Sequence, residues 1–189
     1  MIMHVDIRKL HHDTLVSCHR VVANIEPGQW NAPTSCPAWN VCQIVNHLVS
    51  GNLWVHELGL GHTIEQVGGR LDGDLLHGDP ARAHGESVSA AIAAFGNDDA
   101  MERLWPLSFG PRPGRVYARQ RFIDVLIHQW DIAKATGQKT RLPAHLTEAC
   151  LAYLESNPRV TQAWNFASIE VPATADPQVR LLGLAGRRP

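Results

Sequence analysis

Four long segments with the apolar spacing of amphipathic helices, separated by stretches rich in glycine and proline, constrain the fold of this 189-residue chain most strongly. In the first, residues 5–25, apolar side chains recur every three or four positions, as expected for a helix with one buried face. Glu26, Pro27 and Gly28 follow and predict its end. The stripe is formed by Ile7, Leu10, Thr14, Leu15, Cys18, Val21, Val22 and Ile25.

The same spacing predicts three further long helices and a shorter one. Asn40 is a suitable N-cap for the second, Asp79 with Pro80 favours the start of the third, and Gly137 favours the end of the fourth. These boundary residues support the assignment independently of periodicity. The predicted helices span residues 40–57, 80–95, 116–136 and, for the shorter one, 143–155.

The segments between the helices predict connections and no second core. Glycine recurs over residues 58–79, and glycine and proline recur over residues 96–115, so a long regular element is expected in neither, and no strand pair is evident. We therefore predict an all-α four-helix bundle with an extra short helix over residues 1–157. Residues 158–189 are expected to form an irregular tail with a final short helix, packed on the bundle within the same domain.

Composition excludes several classes of function. Basic and acidic residues number 17 and 18 and form no long run of one sign, so nucleic acid and acidic membranes are not expected partners. No run of about eighteen apolar residues could span a membrane, and the N-terminus lacks the features of a secretion signal. We expect a cytoplasmic protein with four reduced cysteines, since their spacing fits neither a CxxC pair nor a disulfide framework.

Asp124 and His128 are the only carboxylate and histidine four positions apart in a chain with 11 histidines. On a helix this spacing brings both side chains to one face, about 5 to 6 Å apart, where they can bind one metal ion. His47, on the second predicted helix, is the best candidate for a third ligand, because bundles commonly build metal sites from facing helices. Two imidazoles and a carboxylate suit zinc first, with nickel, iron or manganese as alternatives, and leave coordination positions open.

Spacing alone leaves other interpretations of these residues open. Short spacings arise often by chance, and a histidine such as His47, at the edge of an apolar stripe, is more commonly buried and bonded to a backbone carbonyl. Asp131 shares the helix face of His128 and could orient that ring, or equally form a surface salt bridge. Trp130 is expected in the core.

Other histidines and cysteines are weaker candidates for the site. Cys36 lies in a predicted loop and Cys42 on another face of the second helix, and a free cysteine is usually a small apolar residue. His11 and His12 are expected on a solvated helix face. Nucleophilic serine, zincin, P-loop and dinucleotide-binding motifs do not occur in the sequence.

Two segments, SCPAWNVCQIVNHL and FIDVLIHQWDIAKATGQ, resemble the DinB-like metalloprotein superfamily. The resemblance is to the actinobacterial branch related to the N-terminal, metal-binding domain of mycothiol-dependent maleylpyruvate isomerase, and it covers about residues 5–155. It implies that His47, Asp124 and His128 hold a divalent metal. Two departures accompany it: the isomerase has the longer glutamate in place of Asp124, and its additional C-terminal domain is not expected here.

The resemblance implies a metal-dependent enzyme that uses a low-molecular-weight thiol such as mycothiol as nucleophile or cofactor. The reaction would be an S-transfer to an electrophilic substrate, or an isomerisation through a thiol adduct. The loops 58–79 and 96–115 would shape the thiol and substrate pocket, and Asp131 would steer a metal ligand. Two alternatives remain open: a metal-binding protein without turnover, and a metal-dependent hydrolase. A homodimer is also an open alternative.

Overall fold

The computed structural model describes residues 6–163 and 168–188, which form eight α-helices and one two-stranded antiparallel sheet. The helices are α1 (Ile7–Ala23), α2 (Val41–Gly59), α3 (Ile64–Val67), α4 (Pro80–Gly96), α5 (Gly114–Ala135), α6 (Ala144–Ser156), α7 (Pro158–Ala163) and α8 (Pro177–Leu184). The strands are β1 (Leu104–Trp105) and β2 (Arg112–Pro113).

The four longest helices close into a bundle. α2 packs along α4 and α1 packs along α5, while α1 also contacts α4 and α2 contacts α5. Each of these helices therefore has two neighbours in the ring, and their apolar faces meet in one core. The prediction of an all-α, DinB-like bundle is confirmed. Within the described part of the chain, no helix is both long and apolar enough to cross a bilayer.

Capping residues fix the helix ends near the predicted positions. The Asn40 side chain accepts a hydrogen bond from the Gln43 backbone N–H at 2.9 Å, and the Gln43 side-chain oxygen accepts one from the Asn40 backbone N–H at 2.9 Å. Asp79 caps α4 with Pro80 at the first helical position. Gly137 follows α5 with a φ of +67°, a conformation that ends helices and favours glycine.

The first helix buries most of its predicted stripe and, in addition, one histidine. Val21 is half-buried, whereas His11 is only 1% exposed and meets the Phe95 ring edge-on at 4.9 Å. The expectation that His11 is solvated is therefore wrong, because Phe95 of α4 covers that face; His12 is exposed. Val5, where the helix was predicted to begin, lies outside the described residues.

The segment 96–115 contains a strand pair that the sequence did not indicate. Leu104 pairs with Pro113, and Trp105 with Arg112. Trp105 is buried, and its indole N–H donates to the Ala100 carbonyl of the same loop at 2.8 Å. Its ring contacts Phe95 of α4 and Tyr117 of α5, with centroids 4.9 and 5.7 Å apart, which anchors the hairpin to the bundle. The prediction of no strand pair is wrong because strands of two residues are too short to produce an alternating pattern.

The C-terminal tail contacts the bundle through α8 and the residues after it. α8 packs against α6 and buries Leu181 and Leu182, as predicted for a final short helix. Arg187, two residues beyond the α8 cap, is 2% exposed and reaches α5. Residues 164–167 and 189 of the predicted tail lie outside the described residues, and the proposed boundary at residue 157 stays a prediction.

Candidate metal centre

His47 of α2 and Asp124 and His128 of α5 come together where the two helices face each other. His47 Nε2 lies 3.1 Å from Asp124 Oδ2, and His128 Nε2 lies 3.5 Å from Asp124 Oδ1. One potential ligand atom from each side chain lies within 4.8 Å of the other two. Residues 77 positions apart in sequence thus converge as the sequence predicted.

The cluster is open on one side. The side chains of His47 and Asp124 are 33% and 22% exposed, whereas that of His128 is 5% exposed. The Trp39 ring covers part of the site, with centroids 4.6 Å from His47 and 5.6 Å from His128. A small molecule could therefore approach from the His47 side, while His128 is fixed within the core.

Arg121 holds Asp124 in its charged form. Its Nη1 donates to Asp124 Oδ2 at 2.8 Å from one turn earlier on α5, and Arg121 is itself buried. Burial alone would raise the pKa of the Asp124 carboxyl, but Arg121 and the hydrogen bond from His47 hold that pKa well below its usual range. The carboxylate is therefore ionised at neutral pH, as a metal ligand must be.

Gly51 leaves the space that the Arg121 guanidinium occupies. A Cβ at position 51 would lie 2.3 Å from Arg121 Cζ, closer than any side chain can approach without displacement. The absence of a side chain on α2 at this point thus lets the guanidinium lie against the helix backbone beside Asp124.

Asp131 orients His128 from the opposite side. Its carboxylate accepts a hydrogen bond from His128 Nδ1 at 3.0 Å and is fully buried. Burial alone would raise the pKa of Asp131, but the bond from His128 and the ion pair with Arg187, at 2.7 Å, lower it. Because an ionised carboxylate only accepts, Nδ1 donates a proton to this bond, and Nε2, on the side of Asp124, is the ring nitrogen that could bind a metal. The alternative of a surface salt bridge is wrong.

A pocket of about 510 Å³ opens beside His47. Its polar lining includes Gln43, Asp72 and Asp74, and Trp39 forms part of its apolar wall. Asn46 fixes the opposite wall: it donates to the Gly73 carbonyl and accepts from the Leu75 N–H, each at 2.9 Å. The loop 58–79 thus lines this pocket. The loop 96–115 lines a separate pocket, so only the first of the two predicted loops shapes the space beside His47.

The remaining sequence candidates lie outside the cluster of converging ligands. Cys42 lines the pocket, but burial and the nearby Asp74 carboxylate raise the pKa of its thiol; burial also raises that of Cys36. Among the described residues, neither belongs to a group of three converging ligand atoms. Trp130 is 2% exposed, which confirms its predicted place in the core.

Three residues around the cluster were not singled out from the sequence. Arg121 precedes Asp124 by three positions, a spacing that indicates contact on a helix and could have been used. Trp39 lies inside the segment that carries the resemblance, next to the Asn40 cap. Arg187 is 56 positions from Asp131 and had no local signal.

The donor set fits a divalent metal. It consists of two imidazole nitrogens and one ionised carboxylate, converging beside an open pocket, and the second nitrogen of His128 is held by a carboxylate, as is usual for a metal-bound histidine. His47 Nε2–H donates a hydrogen bond to the Asp124 carboxylate in this structure, so this proton would have to leave Nε2 when a metal binds there.

Comparison with known proteins identifies the family of the chain. The family described as mycothiol maleylpyruvate isomerase N-terminal domain matches residues 13–133, a span that includes all three candidate ligands. Two proteins of Mycobacterium tuberculosis described as uncharacterized, from strains CDC 1551 / Oshkosh and ATCC 25618 / H37Rv, are each 33% identical over 138 residues. These matches cover 70% of this chain and 68% of each relative. No solved structure gives a significant match. The chain therefore belongs to the mycothiol maleylpyruvate isomerase N-terminal domain family, whose members are metal-binding, DinB-like and associated with mycothiol.

Proposed function

We propose that the protein is a divalent-metal-dependent enzyme that uses a low-molecular-weight thiol such as mycothiol, in an S-transfer or isomerisation reaction. His47, Asp124 and His128 hold the metal, for which zinc is the first candidate and nickel, iron or manganese are alternatives. The observation that carries the proposal is the convergence of these three donors within 4.8 Å beside a pocket of about 510 Å³.

The residues of the site have separate tasks in this proposal. His128 is oriented by Asp131 so that Nε2 faces the ion, and Asp124 is kept charged by Arg121. When bound, a divalent ion lowers the pKa of a thiol that reaches it, which favours the nucleophilic thiolate near neutral pH. Trp39, above both histidines, restricts access of water from its side of the cluster.

The pocket favours a large polar thiol over water alone as the ligand. A volume of about 510 Å³ lies within the range of small-molecule sites, whereas a hydrolytic water would need far less space. The carboxylates of Asp72 and Asp74 and the amide of Gln43 can bond to the hydroxyl groups of a sugar thiol. This lining supports the binding of a sugar thiol beside the metal centre, which the proposed enzyme requires.

We infer a cytoplasmic location on separate grounds. All four cysteines are free, and three of them are buried. Reduced thiols, both in proteins and in small molecules, persist in the reducing environment of the cytoplasm.

Cobalt substitution tests the proposed function. We expect titration of the cobalt-loaded protein with mycothiol to produce a sulfur-to-metal charge-transfer band, and the zinc-loaded protein to conjugate mycothiol to reactive electrophiles above the background rate. The metal-free protein and a titration with the matching disulfide serve as controls. A spectrum unchanged by mycothiol, together with background rates across a panel of electrophiles, would leave the hydrolytic or non-catalytic alternatives.

A further inference from the structure

A second pocket, of about 290 Å³, lies between α2, α5 and the loop that carries the strand pair. Of the described residues that line it, none carries a formal charge. Ser108, Gln120 and the phenol of Tyr117 are its polar groups, and Phe109 at the rim is 51% exposed. We call it the apolar pocket; its apolar wall includes Trp54, Leu58, Ile64, Leu107 and Phe109.

The apolar pocket and the metal centre are built on the same two helices. From His47 to Gly51 along α2, the neighbouring residue on α5 changes from Asp124 to Arg121, so the helices run antiparallel where they meet. Trp54 lies two turns beyond His47 on α2, and Tyr117 lies two turns before Asp124 on α5. Because the helices are antiparallel, both residues are displaced from the metal centre in the same direction. The apolar pocket therefore lies about 10 Å from the metal centre, measured along the contact between α2 and α5.

The surface between the two places is accessible. Gly51 and Trp54 of α2 and Gln120 of α5 are partly exposed, as are His47 and Asp124. The Arg121 guanidinium, packed against Gly51, lies between the two places along the helices. An elongated molecule could therefore contact the metal centre at one end and the apolar pocket at the other.

We propose that the apolar pocket receives an uncharged aromatic or alkyl arm of the electrophile, whose reactive carbon lies at the metal centre. This inference rests on the proposed function. Burial of an aryl group against Trp54, Leu107 and Phe109 removes apolar surface of both partners from water. A carboxylate in the same place would lose its hydration, and none of the described lining residues is a cation. The nearby Arg112 guanidinium, 5.6 Å from the centroid of the Phe109 ring, already faces that ring. The substrate class is therefore a neutral arylalkyl electrophile, unlike the dicarboxylate maleylpyruvate.

A matched pair of vinyl ketones tests this substrate class. In 5-phenylpent-1-en-3-one and 4-oxohex-5-enoate, the same enone and the same two-carbon linker carry a phenyl group or a carboxylate. In both, the thiolate sulfur of mycothiol forms a C–S bond with the terminal carbon and the C=C π bond breaks. Its electron pair moves to the α-carbon, which takes a proton from solvent. No oxidant or leaving group is needed.

We expect the zinc-loaded protein to favour the phenyl ketone by about 10 to 100-fold in kcat/KM, after subtraction of the uncatalysed rate. Ser108→Trp should remove this preference, because an indole on the exposed rim would fill the pocket without entering the core. Ser89→Trp, at an exposed position on α4 that does not line the pocket, is the matched control and should keep the preference.

Binding is measured separately from turnover by calorimetry on the zinc-loaded protein without thiol. The ligand is the unreactive saturated ketone 1-phenylpentan-3-one. Binding that Ser108→Trp abolishes and Ser89→Trp retains supports the pocket assignment, even if no electrophile is conjugated and the proposed function fails. Conjugation of both vinyl ketones at equal rates, unaffected by Ser108→Trp, overturns the inference and leaves the proposed function standing. Binding that disappears as the protein dimerises would assign the pocket to a subunit interface and also overturn it.

Discussion

Among the described residues, histidine rings meet at two places in the bundle, and the two places differ in what the rings face. Between α2 and α5, His47 and His128 both face the Asp124 carboxylate, with ring centroids 5.3 Å apart. Between α1 and α4, the nearly parallel rings of His19 and His84 have their Nδ1 atoms 3.2 Å apart and their centroids 5.4 Å apart. The centroid distance exceeds the Nδ1–Nδ1 distance by about one ring diameter, as it must when both Nδ1 atoms lie on the line between the centroids. Each Nδ1 therefore points at the other.

The direction of the nitrogens separates a metal site from a hydrogen bond. Nitrogens that point at each other share one proton and leave no common point for a cation, whereas Nε2 of His47 and His128 can meet an ion beside Asp124. In the described part of the chain, no third metal-ligating side chain joins His19 and His84. Proximity of two histidines is thus insufficient, because their nitrogens must also converge with a third ligand atom on one point that an ion can occupy.

The largest expected effect is loss of the metal from His128→Ala. Removal of a ligand should cost more than the 10 to 100-fold expected for an outer partner, so the dialysed variant should contain far less than one ion per chain by elemental analysis. His19→Ala, at the other histidine pair, should retain close to one ion. If His128→Ala retained the metal and His19→Ala lost it, the metal site would have to be assigned to the histidine pair between α1 and α4.

The next largest effect is expected for the carboxylate behind His128. Asp131→Asn weakens the acceptor for His128 Nδ1, so the metal affinity should fall about 10 to 100-fold. Competition with a chelating indicator measures it. Ser87→Ala is the matched change behind His84, where the hydroxyl donates to the His84 carbonyl at 2.8 Å, and it should leave metal affinity unchanged. Equal affinities in Asp131→Asn and wild type would assign Asp131 to stability alone.

The His19–His84 pair should have no effect on metal binding, but it should make the free energy of unfolding depend on pH in acid. Burial, with a smaller contribution from His19, lowers the pKa of His84 to about 3. The unfolded chain takes up a proton there below about pH 6.5, but the folded chain does not until about pH 3, so stability decreases as the pH falls through this window. The contribution of His84 alone is at most about 1.4 kcal/mol per pH unit.

His84→Leu should reduce this acid dependence, because leucine has no proton to bind. Urea unfolding at several pH values between about 7 and 4 measures it, and the difference between variant and wild type at each pH separates His84 from other groups such as His11. His145→Leu, at a side chain that is 60% exposed, is the control. Equal acid dependence in His84→Leu and wild type would show that this pair takes up protons freely in the folded protein.

The comparison also shows which features the sequence could predict. α1, α2, α4 and α5 follow apolar spacing and boundary residues, and Asp124 with His128 follows from the helix repeat; all of these signals are local. The assignment of His47 as the third ligand depends on its place on a facing helix and on the family resemblance. Arg187 could not be predicted, because its partner Asp131 lies 56 positions away and the tail has no periodic pattern.

The smallest expected effect is a change in stability when the helix glycine beside each place is replaced by alanine. It shows how rigidly the neighbouring side chains are held. A Cβ at Gly51 would lie 2.3 Å from Arg121 Cζ, and one at Gly85 would lie 2.9 Å from His19 Cε1. Arg121 is only 7% exposed, so overpacking by Gly51→Ala should cost about 1 to 3 kcal/mol, and the helix preference of alanine, about 1 kcal/mol, offsets part of this loss. The half-buried His19 ring can tilt, and alanine favours the helix by about 1 kcal/mol over glycine, so Gly85→Ala should be nearly neutral.

Urea unfolding of both variants at neutral pH measures the difference. If Gly85→Ala were the more destabilising, the α1/α4 pair would be the more rigidly held, and a fixed arrangement of side chains could no longer be counted among the features that single out the metal centre.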